Sequence, residues 1–179
     1  MVRQTRRMSI EPDTKDWTWV LERPCPECGL DASAVTPGSL ADAFTATVPR
    51  WQHALAQEDA RVRPAANIWS ATEYACHVRD VHRVFGERLA RMLAEDDPLF
   101  DNWDQDAAAL EGRYEDEDPA GVAAEVEAET RRIAEQYAAV SGAQWDRPGR
   151  RSNGSAFTVA TLGRYHLHDV LHHLHDVGS

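Results

Sequence analysis

The stretch SATEYACHVRDVHRVFGERLARML, residues 70–93, decides the fold because it combines a helix start with a long amphipathic face. Ser70 and Glu73 have the spacing of a capping box, in which each side chain bonds the backbone N–H of the other residue. Apolar residues then recur every three or four positions, as on one face of a helix. They are Tyr74, Val78, Val81, Phe85, Leu89 and Met92. The stretch predicts a long helix whose apolar face packs against other helices.

Two further helices are predicted near the two ends of the chain. The first begins at about Ser39, and Pro49 should kink it because proline removes a backbone donor and clashes with the preceding turn. Its apolar stripe is Leu40, Phe44, Val48, Trp51 and Leu55. The last helix is expected to run over about residues 159–177.

A third predicted helix lies between these two. Asp118 is its expected N-cap, Pro119 occupies the first helical position, and Gly142 should stop it. With no convincing strand pattern elsewhere, the sequence predicts an all-α fold, a four-helix bundle. We expect one domain over residues 38–179, preceded by an irregular, proline-rich N-terminal arm over residues 1–37 that contains a CxxC motif.

The net charge of the chain indicates which kinds of molecule it can bind. The 179-residue chain has a formal net charge of −11 and a pI near 5.1, which disfavours nucleic acid and an anionic membrane as partners. A small-molecule substrate is the better expectation. No apolar run suits a signal peptide or a transmembrane span, so we predict a cytoplasmic protein. Pairing of exposed helix faces into a homodimer is left open.

The C-terminal stretch RYHLHDVLHHLHDVGS, residues 164–179, holds five of the eight histidines. His168 and His172 are four residues apart, a spacing that lets two imidazoles of one helix reach the same ion. A third ligand must come from another helix, and His77 is the natural candidate. These three histidines would suit zinc or another late divalent metal, with one position left open.

Neighbouring carboxylates could orient these rings. Asp169 is expected to reach His173 and Asp176 to reach His172, each four residues away, and Glu73 and Asp80 flank His77. The simpler alternative is that the histidines decorate a solvated last turn, where a protonated imidazole also suits the helix dipole. Spacing alone leaves both interpretations open.

The chain resembles the DinB superfamily over about residues 39–177. The resemblance rests on WSATEYACHVRDV, residues 69–81, and on FTVATLGRYHLHDVLHH, residues 157–173. It implies a four-helix bundle in which a long connection joins the second and third helices. It also implies that His77, His168 and His172 bind a divalent metal, zinc or alternatively nickel.

The same resemblance suggests an activity, because the superfamily includes mycothiol-dependent maleylpyruvate isomerases and related thiol S-transferases. It implies a metal-dependent enzyme of the S-transferase or isomerase type, acting on an electrophile with a small-molecule thiol such as mycothiol. The alternative is a non-catalytic metal-binding or stress-related bundle. Catalytic side chains cannot be assigned from the motif.

The motif RPCPECGLD, residues 23–31, departs from the family pattern. Cys25 and Cys28 have the spacing of half a zinc ribbon. They could form a redox pair, a half-site completed by histidines such as His166 or His173, or a structural turn. Cys76 is expected to be a small core residue.

Three arginines precede the last helix. Arg147, Arg150 and Arg151 could bind an acidic group of a ligand if their loop closes over the site, or they could simply solubilise that loop.

Overall fold

The computed structural model describes residues 16–179, so the first fifteen residues of the predicted arm lie outside the described part. Along the described chain there are six α-helices and three short strands. The helices are α1 (Leu40–Thr45), α2 (Val48–Leu55), α3 (Ala71–Ala94), α4 (Gln105–Glu111), α5 (Pro119–Ala138) and α6 (Val159–Asp176). The strands are β1 (Leu99–Phe100), β2 (Pro148–Arg151) and β3 (Ala156–Thr158). The predicted all-α class is confirmed, with the sheet as a small addition.

A four-helix bundle forms from α3, α5, α6 and the pair α1 and α2, which together take the place of one helix. Helix α3 packs against α5 and α6, while α1 and α2 pack against α5. The apolar faces predicted from the sequence meet in one core. Its fully buried members include Phe44, Trp51, Val78, Leu89, Ile133, Tyr137, Leu162 and Leu174. The connection from α3 to α5 is long and carries β1 and α4.

The predicted helix starts of α3 and α5 are confirmed. The Ser70 hydroxyl accepts from the Glu73 N–H at 3.3 Å, and the Ser70 N–H donates to the Glu73 carboxylate at 2.9 Å. Asp118 caps α5 by accepting from the Gly121 N–H at 2.9 Å. These bonds satisfy donors that the first turn of a helix leaves without partners.

The predicted stop of α5 at Gly142 is wrong, because the helix ends earlier, at Ala138 with Ala139 as its C-cap. Gly142, at φ +53°, instead opens a short 3-10 turn. The Gln144 side chain caps that turn by accepting from the Ser141 N–H at 2.9 Å. A glycine with positive φ can either end a helix or open a turn, and the sequence does not distinguish these two roles.

The first predicted helix is divided rather than kinked. Helix α1 ends at Thr45, and α2 begins at Val48 with Pro49 in its first turn. An unbroken helix would need a backbone donor at Pro49, whereas the first turn of a new helix does not. The Thr47 hydroxyl donates to the Phe44 carbonyl at 2.7 Å and closes the break.

A mixed three-stranded sheet joins two loops. The sequence did not predict this sheet. Strand β1 pairs parallel with β2, matching Leu99 to Arg150, and β2 pairs antiparallel with β3, matching Gly149 to Phe157. The strands have two to four residues, too few for an alternating pattern to be recognised. The sheet ties the connection after α3 to the chain that enters α6.

The described part of the arm lies against α6. It contains two 3-10 turns, Thr18–Leu21 and Ala32–Ala34, and a third, Pro37–Ser39, joins it to α1. Arg164 of α6 donates to the Val35 carbonyl at 2.8 Å and holds the arm's last stretch. Across residues 16–179, no helix has both the length and the apolar character that crossing a bilayer demands.

Close packing at Gly163 gives a testable consequence for stability. A Cβ atom there would lie 2.5 Å from Leu40 Cδ1 and 3.0 Å from Tyr137 Cε1, both on buried side chains. We expect Gly163→Ala to lower the free energy of unfolding by about 1–3 kcal/mol through overpacking. Gly121→Ala is the matched control, because its Cβ would meet its nearest neighbour at 3.6 Å. Urea unfolding of the two variants should separate them, and equal stabilities would contradict the packing described here.

Candidate metal centre

Helix α6 and helix α3 bring a first group of ligand side chains together: His77, Asp169 and His173. Their ligand atoms all lie within 4.8 Å of one another. His77 Nε2 is 3.3 Å from Asp169 Oδ1, and His173 Nε2 is 3.8 Å from the same oxygen. Donor atoms around a tetrahedral zinc lie about 3.4 Å apart, given bonds of 2.0–2.2 Å. The spacing therefore fits ligands that converge on one ion.

Two side chains of this first group carry buried atoms without hydrogen-bond partners among the described residues. Nδ1 of His77 has no partner at all in that part of the chain, whereas Nε2 of His77 and Oδ1 of Asp169 lie 3.3 Å apart as an ion pair without hydrogen-bond geometry. Buried polar atoms without good hydrogen bonds cost free energy, and an ion between Nε2 of His77 and Oδ1 of Asp169 would lower this cost. These donor atoms are therefore placed to receive an ion between them.

The protonation states also suit metal binding. Burial lowers the pKa of His77, although Asp169 acts in the opposite direction. Burial raises the pKa of Asp169, but His77 and His173 more than offset this and hold that pKa below its ordinary value. At neutral pH the group therefore offers a neutral imidazole and an ionised carboxylate, the forms that metals bind.

Residues around the first group hold its rings in place. Asp176 lies 2.9 Å from Nδ1 of His173, the nitrogen that faces away from Asp169. The ring of Trp103 stacks on His77 with centroids 5.5 Å apart. A carboxylate behind a histidine fixes both its tautomer and its orientation toward a metal.

A second group lies beside the first, where the arm meets α6. Cys25, Cys28, His168 and His172 have ligand atoms within 4.8 Å of one another. The sulfur of Cys25 is 3.7 Å from Nδ1 of His172. Burial lowers the pKa of His168 to about 4, and it also lowers that of His172. The half-site interpretation named His166 or His173, but the histidines beside Cys25 and Cys28 are His168 and His172.

The three histidines predicted as one ligand set are divided between the two groups. His168 and His172 lie together, but His77 is grouped with Asp169 and His173. The set of His77, His168 and His172 stays a prediction. From the sequence, Asp169 was predicted only to orient His173, and His173 only as a possible partner of the cysteines, although the two share the four-residue spacing of the predicted pair.

The other predicted neighbours are distributed as follows. His166 does not approach the cysteines as a ligand; it lies in the core with its Nε2 2.9 Å from Nδ1 of His82. Asp176 is closer to His173 than to His172, at 2.9 Å against 3.9 Å, because His172 faces the arm. Asp169 lies near His173, as predicted.

The carboxylates predicted to flank His77 have other partners. Glu73 pairs with Arg63 and completes the capping box, and Asp80 pairs with Arg79 and Tyr114. Cys76 is fully buried, as expected.

A cavity of about 940 Å³ opens beside both groups, and Asp169, His173, His168 and His172 line it. Of the three arginines before α6, Arg151 lines the cavity. Its guanidinium lies over the rings of Phe157 and Tyr165, each 5.8 Å away.

The other two arginines hold the loop after α3. Arg147 donates to the carbonyls of Met92 and Glu95, and Arg150 pairs with Asp97 at 2.9 Å. Of the three arginines, Arg151 alone is thus placed beside the cavity.

Comparison with known proteins agrees with this architecture. By structure the chain is similar to YfiT from Bacillus subtilis, described as "a probable metal-dependent hydrolase with an unusual four-helix bundle topology". The TM-score is 0.69 at 17% identity, over 79% of this chain and 86% of that chain, which shows a shared fold. No curated protein shows a significant match. The model of the DinB superfamily matches residues 41–177, and the chain therefore belongs to the DinB superfamily.

Proposed function

We propose that the protein is a divalent-metal-dependent enzyme that acts on small molecules together with a low-molecular-weight thiol, as an S-transferase or an isomerase. The metal, zinc or nickel, would be held by His77, Asp169 and His173. The observation that carries this proposal is the convergence of these three ligands beside a cavity of about 940 Å³.

The donor set favours catalysis over a purely structural role. Catalytic zinc sites have three protein ligands and an open position, whereas structural sites are closed by four. Among the described cysteine, histidine and acidic residues, no fourth member joins His77, Asp169 and His173. The adjacent cavity would give substrates access to the open position. A non-catalytic metal-binding bundle would have no use for such access.

The nucleophile must come from outside the protein. The described residues that line the cavity include no cysteine, serine or lysine. Burial raises the pKa of Tyr74 to about 12 and also raises that of Tyr165, so neither phenol is a ready nucleophile. When bound, a divalent metal would supply Lewis acidity that lowers the pKa of a cosubstrate thiol. Such thiols are kept reduced in the cytoplasm, the compartment that the sequence predicts.

The cavity lining favours a thiol without carboxylates. Besides Asp169, its acidic residues are Asp16, Glu27, Asp104, Asp106 and Asp176. This excess of negative charge would repel the carboxylates of glutathione or bacillithiol. Trp17, Trp69 and Trp103 add flat apolar surfaces, and carboxylates accept hydrogen bonds from hydroxyl groups. Mycothiol, an uncharged sugar-based thiol, matches this combination best.

The remaining roles follow from position. Asp176 orients His173, and the rings of Trp69 and Trp103 shield His77 from water, each with centroids 5.5 Å from it. Arg151 is the only arginine or lysine among the described lining residues, so it would bind an acidic group of the electrophile.

Cobalt absorption tests the thiol. In the cobalt-loaded protein, mycothiol should change the visible d–d bands at lower concentration than glutathione or bacillithiol, because only mycothiol avoids charge repulsion. His77→Ala serves as the control and should show no thiol-dependent change. If none of the three thiols changes the visible bands of the cobalt-loaded wild-type protein, the proposal of a thiol-dependent reaction is wrong.

Hydrolysis is the second candidate, because an open metal position without a protein nucleophile also suits attack by water, and YfiT is described as a hydrolase. Turnover of an ester or amide that needs the metal but no thiol would favour this candidate.

A further inference from the structure

The CxxC motif of the arm forms a tight turn that points both cysteines toward α6. The Gly29 N–H donates to the Cys25 carbonyl at 2.8 Å, and the Cys25 N–H donates to the Leu30 carbonyl at 2.9 Å. Gly29 adopts φ +76°, which a residue with a side chain rarely tolerates. Both cysteines are free thiols, and Cys25 is buried. The turn therefore presents two sulfurs to the same point.

Helix α6 supplies two imidazoles to that point. His172 lies with Nδ1 3.7 Å from the sulfur of Cys25 and with Nε2 3.4 Å from the carboxylate of Glu27. Sulfur and nitrogen ligands of a tetrahedral zinc lie about 3.6 Å apart. A carboxylate on the far ring nitrogen is the usual support of a zinc-bound histidine.

His168 provides a separate indication of a ligand. Its Nε2 is buried and has no hydrogen-bond partner among the described residues. Because the residue is only 3% exposed, water does not readily replace that partner. The ring of Trp17 lies beside it, with centroids 5.8 Å apart. A buried nitrogen with no partner beside two thiols is the condition that a metal would satisfy.

We infer that Cys25, Cys28, His168 and His172 form a second metal site, a closed Cys₂His₂ zinc site that fastens the N-terminal arm to α6. Four protein ligands leave no open position, so the site is structural. It is distinct from the three-ligand group at His77, and it does not depend on the proposed reaction.

The two groups interleave along α6. Positions 168 and 172 face the arm, while positions 169 and 173 face His77 of α3. Zinc at the second site would hold α6 from the arm's side and so fix the cavity wall that Glu27, His168 and His172 form. Loss of this zinc should loosen the arm without removing the ligands of the first group.

Metal content and cobalt spectra of the reduced full-length protein test the inference. The wild-type protein should bind two zinc ions per chain, and its cobalt form should show the near-ultraviolet charge-transfer band of thiolate ligands. Cys25→Ser with Cys28→Ser should lose one zinc and this band. Cys76→Ser is the matched control and should keep both, because Cys76 lies in the core outside the group.

The His77→Ala variant separates this inference from the proposed function. It should keep the charge-transfer band, which reports the cysteine site, while losing the zinc of the His77 site. The two sites can therefore be tested separately. A cobalt-loaded wild-type protein without the band, or cysteines that react as free thiols in the zinc-loaded protein, would overturn the second site. A Cys25–Cys28 disulfide in protein purified under reducing conditions would overturn it too. If the double variant does not fold, Cys28→Ser alone, at the less buried cysteine, should weaken the band.

Discussion

Replacing His77 with alanine is expected to lower the affinity of the cavity metal by more than about 100-fold and to abolish metal-dependent turnover. Loss of an orienting neighbour of a ligand alone costs roughly 10- to 100-fold, and His77 is proposed to contact the metal itself. The effect would come from a residue some ninety positions away from the terminal histidine cluster. Metal content after dialysis and a zinc titration would measure it.

Two controls make this result specific. His53→Ala removes an exposed histidine of α2 and should leave zinc content unchanged. Thermal unfolding of the metal-free proteins checks that His77→Ala still folds. A His77→Ala protein that folds and retains full metal affinity would contradict the role of this residue.

A pair of variants on α6 distinguishes the two ligand sets. If the cavity metal is bound by His77, Asp169 and His173, then His173→Ala should release it and His168→Ala should not. The set of His77, His168 and His172 predicts the reverse. Both histidines lie in the same helix, five residues apart.

Acid should destabilise the protein through a histidine pair in the core. His82 is fully buried, with Nδ1 2.9 Å from Nε2 of His166 and Nε2 3.1 Å from the Thr130 hydroxyl. Burial lowers the pKa of His82 to about 3 and also lowers that of His166. Both rings are therefore neutral in the folded state at neutral pH.

The sign of the effect follows from proton binding. Below about pH 6.5 the unfolded chain protonates these histidines, while the folded protein keeps His82 neutral down to about pH 3. The unfolded state then binds more protons, so stability is full above pH 6.5 and falls as the pH drops. Each such histidine should cost about 1.4 kcal/mol per pH unit in that window.

Urea unfolding of the metal-free protein between pH 7.5 and pH 4.5 would measure this slope. His82→Asn should be less stable at pH 7.5 but should lose about 1.4 kcal/mol less per pH unit below pH 6. His53→Asn, at an exposed position, is the matched control and should leave the slope unchanged. Equal slopes for the wild type and His82→Asn would show that His82 is not a buried neutral base.

The helices could be predicted because their signals are local. The capping pair Ser70 and Glu73, the Asp118 cap with Pro119, and the apolar stripes all act within a few residues. At Pro49 only a kink was predicted, not two separate helices, and the early end of α5 was not predicted. Both depend on whether a turn at that point is more stable than a further helical residue. The sheet was missed because its pairing joins loops some fifty residues apart.

The candidate metal centre was only partly predictable. His77 and α6 were singled out, but both residue pairs of α6, 168 with 172 and 169 with 173, have the same spacing. The choice depends on how α6 is rotated about its own axis. The sequence did contain a signal for this choice. At 100° per residue, His173 lies about 60° around the helix from the buried Val170, whereas His168 lies about 160° from it, which places His173 nearer the core-facing side. The CxxC partners could not be foreseen, because they depend on where the arm docks.

Anomalous diffraction from crystals of the zinc-loaded protein tests the central claim most directly, since it locates the metal without mutation. We predict an anomalous peak within about 2.0–2.2 Å of ligand atoms from His77, Asp169 and His173. A peak coordinated by His77, His168 and His172, or no peak beside His77, would contradict it.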